Sequence, residues 1–127
     1  MSAGRPTISD AEWEVMNVLW ERSPLGSAEI AEALREPTGW HPKTVQTLLG
    51  RLVKKGYLAF DDDGGRYLYR PAVPRRECVR REGRSFLDRV FAGDAGSLLL
   101  HFVEEVELTP AEIDELRRVL DRKEEDA

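Results

Sequence analysis

The most informative stretch of this 127-residue sequence is Pro42-Lys43-Thr44-Val45-Gln46-Thr47-Leu48-Leu49-Gly50-Arg51-Leu52-Val53-Lys54-Lys55-Gly56. Proline is favoured at the first position of a helix and glycine just past its end, so the pattern predicts a helix over residues 42–55. Its apolar residues recur at helical spacing and form one stripe: Val45, Leu48, Leu49 and Leu52. The opposite side carries basic and hydroxyl side chains: Lys43, Thr44, Thr47, Arg51 and Lys54.

The charge around this helix differs from that of the whole chain. The net charge of −5 argues against nucleic-acid binding, because duplex DNA is approached through lysine and arginine. The acidity is concentrated at the C-terminus, however, where residues 104–127 carry 10 acidic and 4 basic side chains. Residues 37–60 are 24 positions without an acidic side chain, and they include Lys43, Arg51, Lys54 and Lys55. We therefore expect this stretch to face phosphate.

The segments on either side of the predicted helix complete a recognisable order. Ser9 and Glu12 form a capping box that begins a first helix, which ends before Pro24. Ser27 is expected to cap a second helix that ends at residues 36–39. After the third helix, residues 57–60 and 66–70 are strand-like, and residues 61–65 predict the turn between them. Three helices followed by a hairpin are typical of a winged helix-turn-helix domain, predicted here over residues 1–74.

The rest of the chain, residues 75–127, predicts only helices. The pattern indicates a helix over residues 75–91, a short apolar helix over 97–103 and a last helix begun by the capping box of Thr109 and Glu112. Segments this short cannot bury their apolar sides against one another, so we expect a second copy of the chain to cover them and a palindromic DNA site to match the two-fold axis. The predicted dimerisation residues are Val79, Phe86, Leu87, Val90, Leu99, Phe102, Ile113, Leu116 and Leu120.

Composition excludes several classes of protein. An apolar fraction of 41% with 34% charged residues is that of a folded globular chain. The order of the predicted elements gives the expected fold class, mainly α with a small β-hairpin wing. One cysteine and two histidines cannot make a disulfide framework and leave little for a metal site. No apolar run approaches the roughly 20 residues of a membrane span, and the N-terminus has no signal-peptide pattern. We expect a cytoplasmic protein with no membrane insertion, no cofactor and no catalytic site.

Three parts of the sequence resemble the BlaI/MecI penicillinase-repressor family. They are Trp40-His41 with the stretch quoted above, the opening Glu12-Trp13-Glu14-Val15-Met16 and the hairpin segment Arg66-Tyr67-Leu68-Tyr69. The resemblance implies a dimeric repressor of β-lactamase and related antibiotic-resistance genes that reads TACA/TGTA-type inverted repeats. It also implies relief of repression by cleavage under the control of a membrane sensor metalloprotease. The family is cleaved at an Asn-Phe pair, and the matching pair here is His101-Phe102.

Several interpretations of these residues remain open at this point. The predicted DNA contacts are Lys43, Thr44, Thr47, Arg51, Lys54 and, in the hairpin, Arg66. Lysine and arginine bind phosphates or guanine edges, and threonine binds phosphate oxygens or thymine methyl groups. The pattern therefore does not show which of these residues read bases and which contact the DNA backbone. The alternatives are a ligand-sensing repressor of another winged-helix family and a winged-helix protein-interaction module without DNA binding.

Overall fold

A computed structural model describes residues 6–127 of the chain. The helices are α1 (Asp10–Glu21), α2 (Ser27–Thr38), α3 (Pro42–Lys55), α4 (Arg75–Phe91), α5 (Ala95–Glu105) and α6 (Pro110–Glu125), and the strands are β1 (Leu25–Gly26), β2 (Leu58–Asp63) and β3 (Arg66–Pro71). The predicted mainly α fold with a hairpin wing is confirmed. The chain divides between Glu82 and Gly83 into two compact units, here called the N-terminal unit (residues 6–82) and the C-terminal unit (residues 83–127).

Local sequence signals set the ends of α1 and α3. At α1, the Ser9 hydroxyl accepts the Glu12 backbone N–H at 3.1 Å, and the Glu12 carboxylate accepts the Ser9 N–H at 2.8 Å. This is the predicted capping box. Helix α3 has the predicted bounds, and Gly56 ends it with φ of 89°, a left-handed conformation that glycine adopts without steric cost.

The start of α2 differs from the prediction. Gly26, not Ser27, is the N-cap, and its backbone N–H donates to the Glu29 carboxylate at 2.9 Å. Ser27 is the first helical residue because Gly26 is held in strand β1, where it pairs with Leu68 of β3. Strand β1 was not predicted, since two residues carry no periodic signal.

The sheet is antiparallel in the order β1-β3-β2, and β2 and β3 form the wing. The predicted five-residue turn is shorter in the structure, because β2 continues to Asp63, which pairs with Arg66. Gly64 and Gly65 alone make the turn, with φ of 64° and 90°. Two positive φ angles suit a tight hairpin whose twist matches that of its strands.

The core of the N-terminal unit lies between α1, α2, α3 and the wing. Its largest fully buried side chains are Met16, Leu19, Ile30, Leu49, Leu52, Glu12, Val15 and Val45. Cys78, in the second turn of α4, is 2% exposed and belongs to the same cluster. The indole N–H of Trp20 donates to the Val73 carbonyl at 2.9 Å. The packing therefore extends past Pro74, while the functional domain boundary at residue 74 stays a prediction.

The C-terminal unit contains the end of α4 with α5 and α6. Asp94 caps α5 by accepting the Ser97 N–H at 3.0 Å, so α5 begins earlier than predicted. Thr109 and Glu112 form the predicted capping box of α6. No residue of α5 or α6 is buried. Among residues 6–127, no helix combines the length and apolar character needed to cross a membrane.

Candidate nucleic-acid interface

Helix α3 presents one continuous polar face to solvent. All of its predicted contact residues are exposed, namely Lys43, Thr44, Thr47, Arg51 and Lys54, and this set is called the basic face below. The apolar stripe is buried, with Val45, Leu49 and Leu52 at 0% exposure. Because the stripe fixes the helix against the core, the basic face has one defined orientation on the N-terminal unit.

The first turn of α3 is organised by His41. Its Nδ1 accepts the Lys43 backbone N–H at 3.1 Å, so this histidine caps the helix. From sequence alone, histidine is expected to be a poor cap compared with serine, and for His41 that expectation is wrong, although its side chain is exposed as expected. The Thr47 hydroxyl donates to the Lys43 carbonyl at 3.1 Å, which leaves its oxygen able to accept a further hydrogen bond.

Lys55 departs from the expectation that the acid-free stretch as a whole faces phosphate. Its ammonium nitrogen lies 2.7 Å from the Glu12 carboxylate, and the Lys55 side chain is 25% exposed. Lys54, the preceding residue, is exposed and makes no ion pair with any residue from 6 to 127. The two neighbouring lysines therefore have different environments.

Arg66, the predicted wing contact, is ion-paired with Glu29 of α2. Both side chains are about half exposed, so solvent screens the pair and its contribution to stability is small. The same Glu29 carboxylate oxygen accepts the Gly26 N–H, which places the Arg66 guanidinium beside the start of α2. Arg70, on the same strand as Arg66, pairs with Asp61 at 3.2 Å and offsets one of the three negative charges that β2 carries at Asp61, Asp62 and Asp63.

An open groove of about 680 Å³ separates the wing from the starts of α2 and α3. Its walls include Ser27, Pro42, Gln46, Arg66, Tyr67 and Tyr69. Burial, together with the neighbouring Tyr67, raises the pKa of Tyr69, so this phenol stays protonated and can donate a hydrogen bond. The sequence does not reveal the groove, because its walls come from three segments that only the fold brings together.

The predicted dimerisation residues are mostly accessible in the single chain. Leu87 is buried at 9% exposure, whereas Leu99 is 57% and Leu120 is 58% exposed. The other members are also exposed: Val79, Phe86, Val90, Phe102, Ile113 and Leu116. His101 and Phe102, the predicted cleavage pair, lie exposed in the middle of α5. No group of three or more metal-ligating side chains occurs in the part of the chain that the structure describes.

The fold and the basic face of α3 define a winged helix-turn-helix DNA-binding protein. The model of the penicillinase-repressor family matches residues 8–122. The chain is 39% identical to the penicillinase repressor of Bacillus licheniformis over 91% of each chain. It is 37% identical to the methicillin resistance regulatory protein MecI of Staphylococcus aureus, over 91% of this chain and 94% of that one.

Solved structures give the same relationship for the N-terminal part. The DNA-binding domain of the repressor BlaI is 40% identical with a TM-score of 0.53, covering 58% of this chain and 90% of that one. Monomeric Bacillus licheniformis BlaI in complex with the blaP half-operator is 42% identical with a TM-score of 0.50, covering 57% and 88%. This chain belongs to the penicillinase-repressor family, which confirms the resemblance seen in the sequence.

Proposed function

We propose that this protein is a homodimeric, non-enzymatic transcriptional repressor that binds inverted-repeat operator DNA through α3 and the wing. The observation that carries the proposal is the basic face of α3, which is exposed and free of acidic side chains. Helices of this kind enter the major groove, which is wide enough to admit them. A solved relative that is 42% identical over the aligned 57% of this chain forms a complex with a half-operator, which supports the same mode here.

The side chains of the basic face suit two kinds of contact. Lys43, Arg51 and Lys54 can bind phosphates or guanine edges, and Thr44 and Thr47 can bind phosphate oxygens or thymine methyl groups. Arg66 is proposed to contact the DNA backbone, exchanging its Glu29 partner for a phosphate. That exchange costs little because the Arg66–Glu29 pair is exposed to solvent.

Dimerisation is proposed to occur through the apolar residues of α4, α5 and α6. Support comes from their exposure, since Leu100 is 66% exposed and Leu120 is 58% exposed in the single chain. A second copy would remove this surface from water and place two N-terminal units about a two-fold axis, which matches an inverted repeat. Each domain then raises the effective concentration of the other at its half-site.

Family membership supports a regulatory context for this binding. We propose that the regulated genes encode β-lactamase or related resistance functions and that a membrane sensor metalloprotease controls relief. The proposed cleavage bond joins His101 and Phe102 in α5. Cleavage there would separate α6 from the DNA-binding part of the chain.

The experiment is a titration of the full-length protein with a duplex carrying a TACA/TGTA inverted repeat, at several salt concentrations. Lys43→Ala and Arg51→Ala should each weaken binding by about 1–3 kcal/mol if they read bases, or lower the salt slope by about one if they contact phosphate. Arg22→Ala is the matched control, because Arg22 is an exposed cation at the end of α1. Equal affinities for the wild type and both α3 variants would remove α3 as the reading helix.

A further inference from the structure

The two lysines that end α3 lie in different environments, although they are neighbours in a basic stretch. Lys54 belongs to the basic face and is exposed. Lys55 points away from that face and donates to the Glu12 carboxylate at 2.7 Å and to the Thr7 carbonyl at 2.9 Å. Its ammonium therefore already has two acceptors, both from the N-terminal edge of α1.

Glu12 is the buried half of this contact. Its side chain is 1% exposed, and the carboxylate oxygen that accepts from Lys55 also accepts the Ser9 backbone N–H at 2.8 Å. Ser9 is the N-cap of α1, so one carboxylate joins the start of α1 to the end of α3. The Tyr57 hydroxyl, just past the end of α3, donates to the Pro6 carbonyl at 2.5 Å, which also joins the end of α3 to the segment before α1.

Electrostatics keep Lys55 in place. Burial alone would raise the pKa of Glu12, but the hydrogen bond and charge of Lys55, with the bonds from Ser9, lower it below its ordinary value. Glu12 is therefore ionised at neutral pH. A buried carboxylate that loses its cation is strongly destabilising, so Lys55 cannot leave Glu12 to reach a phosphate without a penalty.

We infer that Lys55 is a positioning residue for DNA recognition, which fixes the C-terminal end of α3 to α1 through Glu12 and does not contact DNA. The inference rests on the proposed function of the basic face of α3. Because a helix that enters the major groove must present several side chains at once, a small change in its angle weakens all of those contacts together.

The salt dependence of binding distinguishes the two roles. A lysine that neutralises a phosphate releases counterions, so its removal lowers the slope of log affinity against log salt by about one. A positioning residue makes no phosphate contact of its own, so its removal lowers affinity while the slope stays near the wild-type value as long as the contacts of the basic face still form. Lys54 and Lys55 are a matched pair for this test, since they share residue type and helix end.

The experiment compares full-length wild type, Lys54→Gln, Lys55→Gln, Glu12→Gln and the Glu12→Gln/Lys55→Gln double variant on one TACA/TGTA inverted-repeat duplex at several salt concentrations. We expect Lys55→Gln to lower affinity on the order of tenfold with the wild-type slope, and Lys54→Gln to lower the slope by about one. Glu12→Gln should also lower affinity, although it removes a negative charge and electrostatics alone would then favour DNA binding. The double variant should lose little more than Lys55→Gln alone, because both changes remove the same contact.

Each contrary result has a distinct meaning. A slope reduced by about one in Lys55→Gln would make Lys55 a phosphate contact and overturn the inference. Unchanged affinity in folded Glu12→Gln would do the same, because Lys55 could not then be acting through Glu12. Circular dichroism checks folding. If Lys55→Gln does not fold, the Glu12→Gln/Lys55→Gln double variant, which leaves no unpaired buried charge, replaces it and should keep the wild-type slope. A slope lower by about one in that variant would overturn the inference. Failure of the wild type to bind the duplex would defeat the proposed function instead.

Discussion

The two units of this protein use similar helices in opposite ways. In the N-terminal unit, α1, α2 and α3 bury their apolar stripes, and Val15, Met16 and Leu19 are all 0% exposed. In the C-terminal unit, Leu87 at 9% exposure is the one buried residue among those described. There the apolar side chains of α5 and α6 lie at the surface, with Leu100 at 66% exposure.

This difference in burial of apolar side chains implies that the two units are stabilised in different ways. A sheet and three helices give the N-terminal unit two layers, which is enough to exclude water from a core. The part of the chain in residues 6–127 has no buried side-chain polar atom without a hydrogen-bond partner. The C-terminal unit has well-capped helices but no second layer of its own, so its stability is expected to depend on a partner surface.

The largest effect is expected when the C-terminal unit is removed. A chain truncated after Glu82 keeps Cys78 and should remain folded, but it should be monomeric and bind an inverted repeat about 10²- to 10⁴-fold more weakly because the bivalent link is lost. Sedimentation gives the oligomeric state and a duplex titration gives the affinity. A truncated chain that is still a dimer would locate the interface in the N-terminal unit.

Cleavage inside α5 should act in the same direction. A cut between His101 and Phe102 removes residues 102–127, which include all of α6, so operator affinity should fall toward that of the truncated chain. Intact-mass analysis of the repressor from cells grown with a β-lactam should detect a fragment that ends at His101, and uninduced cells are the control. Full-length protein released from its promoter under induction would show that relief uses another signal.

Substitutions of apolar residues in the two units should differ in whether their effect on the free energy of unfolding depends on protein concentration. Leu49→Ala should lower the free energy of unfolding by about 2–5 kcal/mol at any protein concentration, because Leu49 is 0% exposed within one chain. Leu100→Ala should lower the melting temperature more at high protein concentration than at low concentration, because the wild type gains stability as it dimerises. Thermal melts at a series of concentrations test this pair. A concentration-independent effect of Leu100→Ala would mean that Leu100 is not in the dimer interface.

The smallest expected effect is the loss of stability that follows when Glu12 is protonated at low pH. The pKa of Glu12 is lowered in the folded state, so its ionised form contributes stability that is present above about pH 4.3, the ordinary glutamate value, and is lost as pH falls through the folded pKa. The difference in unfolding free energy between wild type and Glu12→Gln should therefore shrink below that pH. Denaturant titrations from pH 6 to pH 3 measure it, with exposed Glu14→Gln as the control. A constant difference would mean that Glu12 is not charged in the folded protein.

Much of the fold and of the basic face could be predicted from sequence, because the signals are local. Pro42 and Gly56 set the ends of α3, and the spacing of its leucines assigned its buried side. The predictions were less accurate where distant segments meet. Strand β1 exists because Leu25 pairs with Tyr69 and Gly26 with Leu68, and the N-cap of α2 is therefore Gly26 and not Ser27. The groove beside the wing likewise has walls from separate segments of the chain.

Lys54 and Lys55 show where sequence information ends. Composition and helical spacing determined that α3 carries an apolar side, a basic side and two lysines at its end, since these properties follow from the order of residues along one helix. The ion pair of Lys55 depends on Glu12, which lies 43 positions away along the sequence and meets Lys55 only when α1 and α3 pack. Because the Glu12 carboxylate is buried, Lys55 stays paired with it, since an unpaired charge in the core is far costlier than one in water.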